Sequence, residues 1–126
     1  MAMTVADTDV LIDFLAGKEP MAARVADVVG RGALCTTAIN RFELLSGSRS
    51  QHQQAQAEAL LSSLPTLVLD QEAADRAAQI RRAFEARGAT IGMGDSLIAG
   101  IVLANGGTLL TRNQGHFERV EGLSLT

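Results

Sequence analysis

The sequence predicts an α/β fold: a mainly parallel sheet of four to five short strands between helices, in a three-layer α/β/α sandwich. Two observations carry this expectation. Apolar runs of three or four residues alternate with longer stretches of helical periodicity along the chain, and that alternation specifies a parallel sheet covered on both faces. The chain has 126 residues, 47% of them apolar and 20% charged, enough for one domain with a sizeable core. Residues 1–126 are therefore expected to form a single domain.

The first strand is read in Thr4-Val5-Ala6, ending at Asp7. Helical spacing of Val10, Leu11, Phe14 and Leu15 follows and stops at Gly17. A second helix is expected from Glu19 to Val29, with Pro20 in its first turn and Gly30 and Gly32 beyond its end. Ala33 to Thr36 reads as a second strand, and Thr36 or Thr37 can cap the next helix, whose apolar face would be Ile39, Phe42, Leu44 and Leu45. A polar, Gln-rich helix over Ser50 to Leu64 is closed by Pro65. Thr66 to Leu69 is a third strand, Gln71 to Arg87 a long Ala/Arg helix, and Gly94 to Ala104 a largely apolar helix stopped by Asn105-Gly106-Gly107. Thr108 to Thr111 is a fourth strand and Leu123 to Leu125 a short fifth.

Composition excludes several functions. Four Phe with no Trp or Tyr leave almost nothing for base-stacking platforms. A net charge of −3 argues against holding nucleic acid by bulk positive charge. One Cys allows neither an internal disulfide nor a Cys-based zinc site, and fits a reducing, cytoplasmic setting. The longest apolar run, Leu97 to Ala104, is far short of a membrane span, and no basic segment precedes an apolar stretch at the N-terminus. Ten of the eleven basic residues are Arg, the exception being Lys18. Arg is the forked donor suited to phosphate, although an Arg- and Ala-rich genome would give the same bias.

In parallel α/β sheets ligands gather at the carboxyl ends of the strands. Asp7 lies at the end of the first strand, with Asp9 two residues on. Glu43 stands in the helix after the second strand, Asp95 in the first turn of the apolar helix, and Asn113 just past the fourth strand. If those strands are neighbours, one pocket receives all of them. Oxygen donors without His or Cys suit a hard cation, Mg²⁺ or Mn²⁺, and a metal-polarised water could attack a phosphodiester. Plainer readings stand beside these. Asp7 could merely cap a helix, Asp95 could answer the helix dipole, and Glu43 could pair with Arg41 or Arg112.

The run Asp7-Thr8-Asp9-Val10-Leu11-Ile12-Asp13 resembles the opening of PIN domains, in the form seen in VapC toxins of bacterial toxin–antitoxin pairs. So do Thr37 to Gly47, Gly94 to Ala99, Leu110 to Phe117 and the final Glu121-Gly122-Leu123. The motifs keep the family order over nearly the whole chain. The resemblance implies a PIN-like fold and an Mg²⁺-dependent endoribonuclease (Mn²⁺ as substitute), silenced by a cognate VapB-type antitoxin and homodimeric. It makes Asp7, Glu43 and Asp95 the acidic metal-site residues, with Asp7 and Asp95 foremost as ligands, and Thr8 and Thr111 supports by hydrogen bonding. Two departures stand out. Many members carry an acid at the position of Asn113 or of His116, and neither is acidic here; Asp9 replaces the usual Ser or Asn and could return the charge. Asn113 can still ligate through its amide oxygen. Arg112 is expected to contact RNA phosphate, or else to pair with Glu43. His116 is read as a proton shuttle, an RNA contact or a solvent-facing loop residue, and Glu118 is a weaker candidate for the missing acid.

Three other readings compete with this one. A haloacid-dehalogenase-type phosphatase has a similar Asp-x-Asp opening and a late acidic motif, but needs a Lys that is absent beyond Lys18. A receiver domain meets the same objection. A PIN module with weakened catalysis would follow from the missing fourth acid. For dimerisation, the Ala- and Leu-rich helical stretches Ala22 to Val29 and Ala55 to Leu64 offer small side chains for close approach.

Overall fold

The computed structural model describes residues 3–126. Its element order is β1 (Thr4–Ala6), α1 (Thr8–Ala16), α2 (Met21–Gly30), β2 (Leu34–Thr37), α3 (Ala38–Ser46), α4 (Gln51–Ser62), β3 (Thr66–Leu67), α5 (Gln71–Ala86), α6 (Met93–Asn105), β4 (Thr108–Leu110), α7 (Gln114–Phe117) and β5 (Ser124–Leu125). The five strands form one all-parallel sheet in the order β3-β2-β1-β4-β5. Strand order reverses at β1, so the crevice for a ligand opens between the carboxyl ends of β1 and β4.

Period-two alternation in the strands separates two cores. Ala6, Leu34 and Leu110 face a cluster with Val10, Leu11, Val25, Leu44 and Leu61, which brings in α1 to α4. Val5, Cys35 and Leu109 face the other side, against Ile80 and Phe84 of α5 and Ile98, Ala99 and Val102 of α6. The three-layer sandwich is therefore as expected. On the second face, Gly100 lets α5 and α6 touch. A Cβ there would lie 2.5 Å from the Ala73 carbonyl oxygen and 2.8 Å from the Ala77 nitrogen, so nothing larger than hydrogen fits. Cys35 is fully buried, and burial pushes its thiol up to about 11, which makes it an inert core residue.

Helix ends follow the sequence closely. Thr37, Ser50 and Asp70 cap α3, α4 and α5 with side-chain oxygens that accept from Asn40, Gln53 and Ala73 N–H. Several details differ from expectation, among them β3, which ends at Leu67 rather than Leu69 and leaves Val68 and Leu69 exposed. The single-turn α7 was not foreseen, being too short to show periodicity. Pro20 precedes α2 rather than lying in its first turn. Of the expected face of α3, Leu44 is buried and Ile39 and Leu45 are partly buried, but Phe42 is 69% exposed and Asn40 is buried in its place. In the two stretches expected to mediate dimerisation, Val25 and Val28 of α2 with Ala57 and Leu61 of α4 belong to the chain's own core, while Ala23, Ala26, Ala55 and Ala59 are exposed. Among the described residues no helix is long and apolar enough to cross a membrane.

Candidate active site

Register brings the site together. Ala6 of β1 stands opposite Leu110 of β4, so the next residues, Asp7 and Thr111, leave the sheet side by side at the crevice. The Thr111 hydroxyl donates to Asp7 Oδ2 at 2.8 Å. Asp7 also caps α1, its Oδ1 accepting from Thr8 N–H at 2.9 Å and from Asn40 Nδ2 at 2.8 Å. The capping reading of Asp7 is thus correct but incomplete, since a carboxylate that accepts three bonds keeps acceptor capacity for a fourth interaction.

Asn40 is the residue the sequence did not reveal. It is fully buried, and every polar group of its amide is used. Oδ1 accepts from the Thr37 hydroxyl at 2.7 Å, while the two Nδ2 protons go to Asp7 and, at 2.9 Å, to Thr8 Oγ1. With its own oxygen receiving that bond, Thr8 donates its hydroxyl proton to Glu43 Oε1 at 2.6 Å. An ordered chain of donors therefore runs from α3 through Thr8 and back to Glu43, and it fixes both acids as acceptors. Glu43 forms no ion pair among the described residues, so neither Arg41 nor Arg112 is its partner. Its second oxygen, Oε2, lies 3.3 Å from where a Cβ on Gly94 would stand, which puts the start of α6 against it.

Asp95 enters from that first turn of α6 and meets His116 Nδ1 at 3.2 Å. Burial pushes the Asp95 carboxyl above the ordinary carboxylate value; His116 opposes the rise and the charge of Asp7 adds to it. Asp9 is raised in the same way, first by burial and then by Asp7. Its Oδ2 accepts from Arg112 N–H at 3.0 Å and lies 3.5 Å from Thr111 Oγ1. The Arg112 side chain goes elsewhere, with Nε 2.7 Å from Oδ2 of Asp13, a carboxylate only 4% exposed. Asp13, one turn beyond Asp9, thus holds the side chain of the residue whose backbone Asp9 holds. Asn113 donates its backbone N–H to Thr111 Oγ1 at 3.0 Å; its side chain is exposed and caps nothing. Glu118 is exposed and lines a shallow cleft with Asp95 and His116.

The donors are oxygens of hard character, two of them raised by burial with a smaller push from the Asp7 charge, and this fits a hard divalent cation. Among the described residues no three acids or histidines already stand close enough to enclose an ion.

A model of the PIN domain matches residues 4–123. The chain belongs to the PIN domain family. The tRNA(fMet)-specific endonuclease VapC of Shigella flexneri is 30% identical to this PIN domain over 121 residues, 93% of this chain and 91% of that one. In the crystal structure of DNA-bound VapBC from Salmonella typhimurium, a chain 28% identical superposes with a TM-score of 0.87 over 100% of this chain and 98% of its own. VapBC2 from Rickettsia felis, bound to a promoter DNA fragment, shares the fold at 19% identity, with a TM-score of 0.84 over 98% and 97% of the two chains. Membership sets aside the phosphatase and receiver readings, neither of which uses a PIN fold.

Proposed function

We propose that this chain is a single PIN nuclease domain acting as a metal-dependent endoribonuclease toxin, held inactive by a VapB-type antitoxin. The observation that carries the reading is the convergence of Asp7, Glu43 and Asp95 on one crevice, supported by Thr8, Asn40 and Thr111. Asp7 and Asp95 would hold the cation, Mg²⁺ with Mn²⁺ as substitute, and Glu43 would complete the acidic set. When bound, the ion supplies an activated water and neutralises charge on the phosphodiester. The protein's own part is positioning. The Asn40–Thr8 chain keeps the lone pairs of Asp7 and Glu43 fixed, and His116 orients Asp95. Asn113, at the rim, is assigned to a metal-bound water, and the half-exposed Arg112 to an RNA phosphate. The relatives' name makes a tRNA the first target to test, and a cytoplasmic setting goes with that reading.

The antitoxin is assigned to an apolar cleft of about 340 Å³ between α1, α3 and α4, lined by Ile12, Leu15, Ala16, Leu44 and Ala57, with Glu43 also on its wall. An amphipathic antitoxin segment with an Arg reaching Glu43 and its neighbours matches that lining. Homodimer contacts are assigned to the exposed apolar residues Phe42, Val68, Leu69 and Met93. Purified protein should cleave tRNA with Mg²⁺, stop in EDTA, and stop when the antitoxin is added. Cleavage indifferent to EDTA would remove the metal mechanism; full activity beside the antitoxin would remove the toxin reading.

A further inference from the structure

Arginine is concentrated on one side of α5. Arg76, Arg87 and Arg119 line a cleft of about 250 Å³ between that helix and the loop joining α7 to β5. Among the described residues the opposing charge on its wall is Glu121, so the cleft is positive in a protein whose net charge is −3. Helical spacing builds this wall. Arg76, Ile80 and Ala83 share a face of α5, and Arg87 continues it at the C-cap. At 1.5 Å per residue the two end arginines stand about 16 Å apart along the helix. Arg119 comes from the loop opposite, which the buried Phe117 and Val120 pin to the core on either side. These guanidiniums have little to hold within the protein. Arg87 and Arg119 form no ion pair among the described residues, and Arg76 meets Glu72 only at 3.5 Å, both side chains being exposed. Arg87 lies over the Phe84 ring, 4.6 Å from its centroid, a stack that orients the fork without neutralising it. The cleft also leads somewhere. Phe84 and Arg119 are shared with the neighbouring cleft that holds Asp95 and His116, so the arginine face opens onto the acids.

Resting on the nuclease reading above, we propose that the cleft of Arg76, Arg87 and Arg119 is the track along which the RNA backbone beside the scissile phosphate lies. Forked donors without internal partners suit phosphate oxygens. Phe84, the ring in the cleft, is 5% exposed and covered by Arg87, so no base stacks there and the contacts are to backbone. Such contacts set the register of the strand on the acids without selecting its sequence. An acidic segment of a protein partner would meet the same charges. The opening onto Asp95 is what favours RNA, since a strand held by Arg119 continues directly into the crevice.

The test pairs Mg²⁺-dependent cleavage kinetics with binding of a fluorescent tRNA, followed by anisotropy over a salt series in the Asp95→Asn background so that the RNA stays whole. Arg87→Gln combined with Arg119→Gln removes two charges from the cleft, and the same pair changed to Lys keeps them. Arg31→Gln, on α2 at the other face of the sheet, is the control for net charge. The expected result is that the double Gln variant binds tRNA about tenfold more weakly, with a salt dependence shallower by about 1.5 in log–log slope. KM should rise by a similar factor with kcat little changed, and the double Lys variant should recover most of the loss. Binding and slope unchanged in the double Gln variant, or a loss no greater than that of Arg31→Gln, would overturn the track while wild-type cleavage leaves the nuclease reading standing. A Lys variant as weak as the Gln variant would overturn it too, because the arginines would then act on structure rather than by charge. Intact tRNA binding with weakened silencing by antitoxin would give the cleft to the protein partner instead. Failure of the wild type to cleave RNA in Mg²⁺ would overturn both readings together.

Discussion

The Asn40 amide shows how much a single buried side chain sets in this site, because its two protons fix the acceptor roles of Asp7 and Thr8, and through Thr8 that of Glu43. Asn40→Ala should cost about 1–3 kcal/mol, since Thr37 and Asp7 lose buried partners, and should lower cleavage as well; urea denaturation beside an RNA assay measures both. Asp95 carries a pH signature in the metal-free protein. Its folded-state pKa is raised, chiefly by burial, so the folded chain holds the proton more readily than the unfolded chain. Stability contributed by Asp95 is therefore highest at low pH and declines as pH rises through the ordinary carboxylate value toward the raised one. Asp95→Asn should gain stability relative to metal-free wild type between about pH 3 and about pH 7; urea midpoints at the two ends check the sign. Asp7, Glu43 and Asp95 could be read from the chain because acids at strand ends or against apolar runs stand out. Asn40, Asp13 and the His116–Asp95 contact could not. Asn40 answers Asp7 across 33 positions and Arg112 answers Asp13 across 99, and hydrophobic periodicity says nothing about such pairings.

Strand and helix order was legible nearly throughout, because short apolar runs, caps and glycine stops mark each element locally. The face of α3 was legible only in part. Leu44 is buried as hydrophobicity predicts, yet Asn40 turns inward to meet Thr37, Asp7 and Thr8 while Phe42 stays in solvent. The crossing of α5 and α6 gives a prediction free of the chemistry. Gly100→Ala must push Ala73 and Ala77 apart and should cost about 1–3 kcal/mol by overpacking, read as a lower urea midpoint. On the opposite face, Ile12 of α1 is 50% exposed at the proposed antitoxin cleft. Ile12→Arg should leave cleavage intact and weaken silencing by antitoxin at least tenfold, measured as the antitoxin concentration that halves RNA cleavage. Unaltered silencing would move the antitoxin to another surface.

At the scale of the whole molecule, parallel strands in the order β3-β2-β1-β4-β5 set Asp7 beside Thr111 at the reversal point. The helices that follow β2 and precede β4 carry Glu43 and Asp95 to the same place. A net charge of −3 with acids at that crevice opposes RNA at long range, and on the proposed function a bound divalent cation would offset that repulsion as well as serve the chemistry. The most direct test is the rate of tRNA cleavage by purified protein as Mg²⁺ is raised from zero, for wild type and Asp95→Asn side by side. The account predicts no cleavage without metal, a saturable rise in the wild type, and a rate at least about a hundredfold lower in Asp95→Asn. Equal rates for the two proteins, or wild-type cleavage that persists without divalent cation, would contradict it.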